Sequence, residues 1–182
     1  KSSPRFVSLP QTLPERFIVS GVSVGELAPD FAVNTHSGGA IRLRDFHGQK
    51  VVVLFFYPKD GTAVCTREAC AFRDTYEQFL DAGAVVIGVS SDSAASHTTF
   101  ATQHNLPFHL ISDDAGSLRR LYGVPKTLGL LPGRATYVID RDGIDKRRHL
   151  QLRCDLKPFT CLLKSFSGLS QALTVAINAQ RT

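Results

Sequence analysis

Two cysteines, Cys65 and Cys70, stand five residues apart in the stretch Phe55–Asp74, FFYPKDGTAVCTREACAFRD. A run of strand-forming residues, Val51 to Tyr57, leads into this stretch and ends at Pro58. A short polar loop follows, and a helical pattern begins at about Cys65. First-turn amides and the helix dipole favour a thiolate over a neutral thiol, so a cysteine at this place can act as a nucleophile. A second thiol so close in sequence adds disulfide chemistry. Thr62 lies three residues before Cys65, and its hydroxyl can accept from a substrate, donate to a sulfur or oxygen, or cap the helix. Glu68, three residues after Cys65, is either a solvated first-turn acid or the ion-pair partner of an arginine. The competing reading of Cys65 is an inert core cysteine, the commonest fate of a free thiol.

Elements able to position these groups can be read along the chain. Phe31–Val33 and Ile41–Leu43 flank Ser37-Gly38-Gly39, a hairpin pattern. Asp45 to Lys50 is a polar link into Val51–Tyr57, which is apolar at every position, as a strand covered on both faces is. After the loop, Ala69, Phe72, Tyr76, Phe79 and Leu80 recur on one helical face with Cys65, which turns its thiol toward protein. Gly83 ends that helix and Ala84–Val89 is the next strand. Asp92 or Ser93 caps a helix running to about His104. Phe108–Ile111 is a third strand, and Ser112 or Asp113 caps a short helix stopped at Tyr122-Gly123. Ala135–Asp140 is a fourth strand, and Arg141-Asp142-Gly143 turns into a strand of open extent. Phe159, Leu162, Leu163, Phe166, Leu169, Leu173, Ala176 and Ile177 mark an amphipathic helix weakened by Gly168. Strands alternating with helices imply an α/β sandwich.

Pro58, Thr62 and Cys65 match the P-x-x-x-T-x-x-C motif of the peroxiredoxins. With Cys70 and the flanks Phe56-Tyr57-Pro58 and CTREACAFRD, the chain resembles the peroxiredoxin Q (bacterioferritin-comigratory) subfamily from about Val24 to Asp140. The resemblance implies a thioredoxin-like fold with an N-terminal β-hairpin, its central mixed sheet flanked by helices. It also implies a thiol-dependent peroxidase for hydrogen peroxide and organic hydroperoxides, serving antioxidant defence. Cys65 is then the peroxidatic cysteine, and the ring of Pro58 shields its thiolate from water. Arg134, in Leu131-Pro132-Gly133-Arg134, matches the arginine that meets cysteine and peroxide, and Glu68 orients such an arginine. Cys70 is the nearest thiol to resolve a sulfenic acid on Cys65. Residues five apart in an intact helix have Cα atoms about 8.6 Å apart. A disulfide tolerates roughly 7 Å at most, so the first turns must unwind before the two sulfurs meet. The resemblance implies thioredoxin as the reductant. An intramolecular disulfide needs no partner subunit, which makes a monomer the default.

Two departures from the family pattern stand out. Thr62-Ala63-Val64-Cys65 replaces the usual T-P-G-C, and a loop needing φ > 0 at position 64 would strain Val64. Lys146-Arg147-Arg148 falls where family members continue an apolar strand, which leaves the pairing of Ile144–Arg153 open.

The totals limit the alternatives. At 182 residues and 43% hydrophobic content, the chain suits one domain, residues 22–182, after a flexible arm, residues 1–21. Residues 1–140 carry 13 Lys+Arg against 13 Asp+Glu, and residues 141–182 carry 8 against 3, so the net +5 lies in the tail. Without interleaved aromatics that tail reads as a solvated basic face, not a nucleic-acid site. No apolar run is long enough to cross a bilayer as a helix. Four cysteines make no disulfide scaffold, scattered histidines and the lack of C-x-x-C pairs argue against zinc, and the chemistry needs no cofactor. Cys154 and Cys161 read as ordinary thiols. The arm begins without Met and its basic, Ser-containing composition fits the remnant of a transit peptide as well as an artificial truncation. It points to a plastid, with the cytoplasm as the alternative. The rival functions are a thioredoxin-like protein disulfide oxidoreductase, which normally spaces its cysteines more closely, and a non-enzymatic binding protein with inert thiols.

Overall fold

The computed structural model describes residues 21–127 and 131–151; the arm 1–20, the helix read over Phe159–Ile177, Cys154 and Cys161 lie outside the described residues. In chain order the elements are β1 (Ala32–Asn34), β2 (Ala40–Arg42), a 3-10 turn (Leu43–Phe46), β3 (Val51–Phe56), α1 (Ala63–Asp74) and α2 (Tyr76–Asp81). There follow β4 (Ala84–Ser90), α3 (Ala94–His104), β5 (His109–Ser112), α4 (Ser117–Leu121), β6 (Lys126–Thr127), β7 (Leu131–Pro132), β8 (Arg134–Ile139) and β9 (Asp145–Gln151).

Five strands make one mixed sheet in the order β5-β4-β3-β8-β9. β3 and β4 run parallel, as do β4 and β5, whereas β8 is antiparallel to both β3 and β9. The hairpin β1–β2 stands before this sheet, making the thioredoxin-like arrangement with an N-terminal hairpin.

Every residue of β3 and β4 is buried, because both faces of the sheet are covered. Alternation along β3 divides the core. Val51, Val53 and Phe55 pack with Cys65, Phe72, Phe79 and Phe100 under α1–α3. Val52, Leu54 and Phe56 pack with Ile87, Leu118, Tyr122 and Tyr137 on the other face, under α4.

Several expectations need correction. The helix read from Cys65 begins at Ala63, so Val64 is helical; Asn105 is the one described non-glycine residue with positive φ. The condition under which Val64 would be strained, a positive φ, is therefore not met. That helix does not run unbroken to Gly83. Thr75 takes φ −114 and ψ 12, and its hydroxyl donates to the Ala71 carbonyl at 2.8 Å, so α1 ends at Asp74 and α2 starts at Tyr76. Leu80, read as part of the buried face, is 39% exposed.

The link Asp45–Lys50 lies partly within the 3-10 turn. Ser93 caps α3, its hydroxyl accepting from the Ser96 amide, while Asp92 is engaged elsewhere. α4 starts only at Ser117, yet the Asp113 carboxylate reaches forward to accept from the amides of Leu118 and Arg119 at 3.0 and 2.9 Å. The basic segment after Gly143 does continue the sheet. It pairs Arg147 with Val138 and Arg148 with Tyr137, beyond a bulge between Val138 and Ile139. Among the described residues β9 lies at the end of the sheet order, beside β8.

Candidate active site

The strand β3 delivers the chain at its C-terminal end to Pro58, and α1 begins five residues later. Cys65 is the third residue of α1, 1% exposed, within the buried cluster that includes Phe55, Tyr57 and Phe72. Thr62 takes the N-cap backbone conformation but makes no capping bond; its exposed hydroxyl donates to the Lys59 carbonyl at 3.3 Å. No acid occupies the first turn. The side-chain cap open to Thr62 is thus not made, and its oxygen keeps acceptor capacity. Pro58 is half-buried at the end of β3. Cys70 is half-buried on the intact α1, and both it and Cys65 are free thiols.

Arg134, the first residue of β8, is 8% exposed and donates from Nη2 to Cys65 Sγ at 2.9 Å. From Nη1 the same guanidinium donates to Glu68 Oε2, forming a buried ion pair. Antiparallel pairing of β8 with β3, with Ala135 opposite Phe56, brings these residues together from 69 positions apart. Glu68 is buried, not solvated. Burial pushes its carboxyl up from 4.5 to about 7, against the opposing charge and hydrogen bond of Arg134.

The residues read from sequence are thereby split. Cys65, Arg134 and Glu68 form one contact set. Pro58 and Thr62 bound the loop leading into it, and Cys70 waits further along α1. A cation at hydrogen-bond distance favours negative charge on sulfur, and a planar fork can touch sulfur and a second acceptor at once.

Three further residues escaped the sequence reading. Asp60, inside the loop, accepts from the Tyr57 hydroxyl at 2.7 Å and the Ser96 hydroxyl at 2.8 Å. Its Oδ2 also lies 2.8 Å from Nδ1 of fully buried His97, whose Nε2 lies 3.2 Å from the Ile111 carbonyl. The Asp60 amide donates to Asp92, fastening the loop to the start of α3. Burial opposes ionisation of Asp60, but the bonds from His97, Tyr57 and Ser96 outweigh it and hold the carboxyl below its ordinary value. Arg119, on α4, is 9% exposed and donates to the carbonyls of Tyr57 and Gly133. Neither His97 nor Arg119 sits in a pattern that sequence spacing marks; an acid two residues after a strand-ending proline was the one available signal.

Comparison with known proteins gives a consistent picture. The AhpC/TSA family model matches residues 24–146. A relative from Oryza sativa subsp. japonica, named peroxiredoxin Q, chloroplastic, is 49% identical over 144 residues, covering 78% of this chain and 66% of its own length. One of the same name from Sedum lineare is 46% identical over 140 residues, covering 76% of this chain and 75% of the relative. The chain thus spans just under two thirds of the rice relative's length. Among solved structures, Mycobacterium tuberculosis peroxidoxin BcpB is similar with a TM-score of 0.68 and 30% identity, covering 88% of this chain and 99% of that one. The Xanthomonas campestris bacterioferritin comigratory protein, described for alkyl peroxide reduction, has a TM-score of 0.64 and 26% identity, covering 84% and 92%.

Proposed function

The chain belongs to the AhpC/TSA family, the peroxiredoxins, and is of the peroxiredoxin Q type; from that premise we propose that it is a thiol peroxidase whose peroxidatic sulfur is Cys65. The observation that carries the proposal is the 2.9 Å contact from Arg134 Nη2 to Cys65 Sγ, made while the same guanidinium is paired with Glu68. In the proposed first step the Cys65 thiolate attacks one oxygen of a hydroperoxide. The S–O bond forms as the O–O bond breaks, and the departing alkoxide or hydroxide takes a proton and leaves as alcohol or water. The Thr62 hydroxyl accepts from the peroxide O–H, Arg134 stabilises the reacting oxygens, and Pro58 limits the access of water. Cys65 leaves this step as a sulfenic acid.

Cys70 then attacks the Cys65 sulfur, forming a disulfide and releasing the oxygen as water. Because α1 is continuous from Ala63 to Asp74, this second step requires the helix between the cysteines to open. An external dithiol of the thioredoxin type returns both thiols by disulfide exchange, itself becoming oxidised. The substrate class is hydrogen peroxide and organic hydroperoxides, in keeping with the alkyl peroxide reduction described for the Xanthomonas campestris protein. The unit proposed is a monomer: one domain, 22–182, preceded by an arm. A plastid location is proposed from the compartment named for the plant relatives.

The test is stoichiometric. One equivalent of peroxide should consume two thiols per chain and leave the Cys65 and Cys70 peptides cross-linked in a digest. Cys65→Ser should lose turnover entirely, supported by a thioredoxin reducing system. Turnover persisting in that variant would remove the assignment, and cross-linking of Cys65 to Cys154 or Cys161 would reassign the resolving thiol.

A further inference from the structure

Once Glu68 is ionised, the charges around Cys65 do not balance on Arg134 alone. Arg134 and Glu68 form a buried pair with each other. A thiolate at Cys65 together with an ionised pair leaves one negative charge in the interior without a counter-charge, a costly arrangement unless a second cation is close.

Arg119 is a second buried cation, held against the segments on either side of Phe56 and Ala135. It is buried on α4, and its guanidinium donates to two main-chain carbonyls, from Nη1 to Gly133 at 2.9 Å and from Nη2 to Tyr57. Its Nε has no acceptor among the described residues, and the guanidinium stands 5.8 Å from the centre of the Phe56 ring. No carboxylate oxygen touches the fork in any described contact. Burial, with the like charge of Arg134, holds its guanidinium below the ordinary arginine value against the attraction of Asp113 and Cys65. Asp113 is already engaged by the Ser117 hydroxyl and the amides of Leu118 and Arg119.

The two carbonyls held by Arg119 are placed with consequence. The ladder between β3 and β8 ends at Phe56 with Ala135. Tyr57 is the next residue on one side and directly precedes Pro58. Gly133 lies two residues before Ala135 and directly precedes Arg134. Where the main-chain bonds between the strands stop, one side chain from the opposite face of the sheet joins the two segments that carry the site.

We propose that Arg119 is a positioning residue of the peroxide reaction, its fork setting the separation of the Pro58 loop from Arg134 and its charge supporting the Cys65 thiolate. This rests on the thiol-peroxidase reading of the same site. Arginine suits the place because its planar fork presents donors in fixed directions, one to each carbonyl, whereas a lysine ammonium is a point charge on a flexible stem that fixes no such separation.

Three forms of the protein decide it. Arg119→Met keeps the bulk without the charge, and Arg119→Lys keeps the charge without the fork. Two readouts are needed: the single-turnover rate of Cys65 oxidation by hydrogen peroxide, and the pH profile of Cys65 alkylation by iodoacetamide, both followed on the Cys65 peptide by mass spectrometry. In Arg119→Met the oxidation rate should fall about 100-fold and the alkylation profile should move about one pH unit upward. In Arg119→Lys the profile should stay near wild type while oxidation slows about 10-fold. A merely structural staple would lower the melting temperature of both variants and leave the alkylation profile in place, which overturns the proposal. So does a folded Arg119→Met with both readouts at wild-type values. If Arg119→Met does not fold, a wild-type oxidation rate in Arg119→Lys overturns the positioning role. Should wild-type protein fail to react with peroxide, the peroxidase reading is lost, while the alkylation comparison still decides whether Arg119 supports the thiolate.

Discussion

Glu68 shows how a single carboxyl in this site is pulled in two directions. Burial raises it from 4.5 to about 7, and Arg134 acts against that rise. Because the folded value lies above the unfolded one, the fold prefers the neutral acid. The stability this contributes is whole below about pH 4.5 and is lost as pH rises through 7. At 1.36 kcal/mol for each pH unit, the loss is at most about 3 kcal/mol. Glu68→Gln should remove that slope while still offering Arg134 a carbonyl oxygen. Urea unfolding at pH 5 and pH 8 checks this: the wild-type midpoint should drop between the two, and the variant's should drop less. Equal slopes would mean that Glu68 stays ionised across the whole range. The same residue ties stability to chemistry, since the protonation state of Glu68 sets how much of Arg134's charge is left to face Cys65.

At the scale of elements, α1 holds the two proposed redox thiols in a geometry that keeps them apart. Its first turn lacks both a side-chain cap and an acid, two features that ordinarily secure a helix start. Thr75 ends the helix after Asp74 by bending the chain, so a transition that opens the Cys65–Cys70 segment need not propagate into α2. The loop before α1 is fixed differently: Asp60 collects bonds from Tyr57, Ser96 and His97 and ties to Asp92. Opening is therefore expected on the α1 side of Cys65, with the loop held by α3. On oxidation by one equivalent of peroxide, amides from Thr66 to Asp74 should lose protection in hydrogen exchange, with α3 unchanged. Cys70→Ser, oxidised the same way, should keep its protection. Protection retained in the oxidised wild type would exclude helix opening as the route to the disulfide.

On the scale of the whole molecule, the sheet is what brings the site residues into register. β3 carries one set of side chains to the layer under α1 and the alternate set to the layer under α4. Little slack exists in the layer that holds Phe55 and Cys65. A Cβ on Gly88, in the middle of β4, would lie 2.7 Å from Leu110 Cδ2 and 2.8 Å from Phe55 Cζ, and both of those side chains are buried. Gly88→Ala should therefore overpack the core and destabilise the fold by about 1–3 kcal/mol. The measurement is the urea midpoint at unchanged m-value; a wild-type midpoint would show that Phe55 or Leu110 can give way. Since Phe55 shares its cluster with Cys65, the strain would fall next to the site.

What the amino-acid sequence determined by itself is what acts over short distances. The buried strand read as Val51–Tyr57, its stop at Pro58, the helix carrying Cys65 on its inner face and a cap at Asp92 or Ser93, which the structure settles as Ser93, follow from period, β-formers and capping chemistry within a few residues. Motif spacing marked Pro58, Thr62 and Cys65, and Arg134 joined them only through the resemblance to the peroxiredoxins. The meeting of Arg134 with Cys65 and Glu68, the clamp between Asp60 and His97, and the burial of Arg119 were decided by tertiary structure. Arg119 and Arg120 are adjacent and chemically identical in sequence; the first is buried against the strands of the site and the second is exposed. Only sheet register and depth below the surface separate them, because electrostatic worth depends on what surrounds a charge and not on its place along the chain.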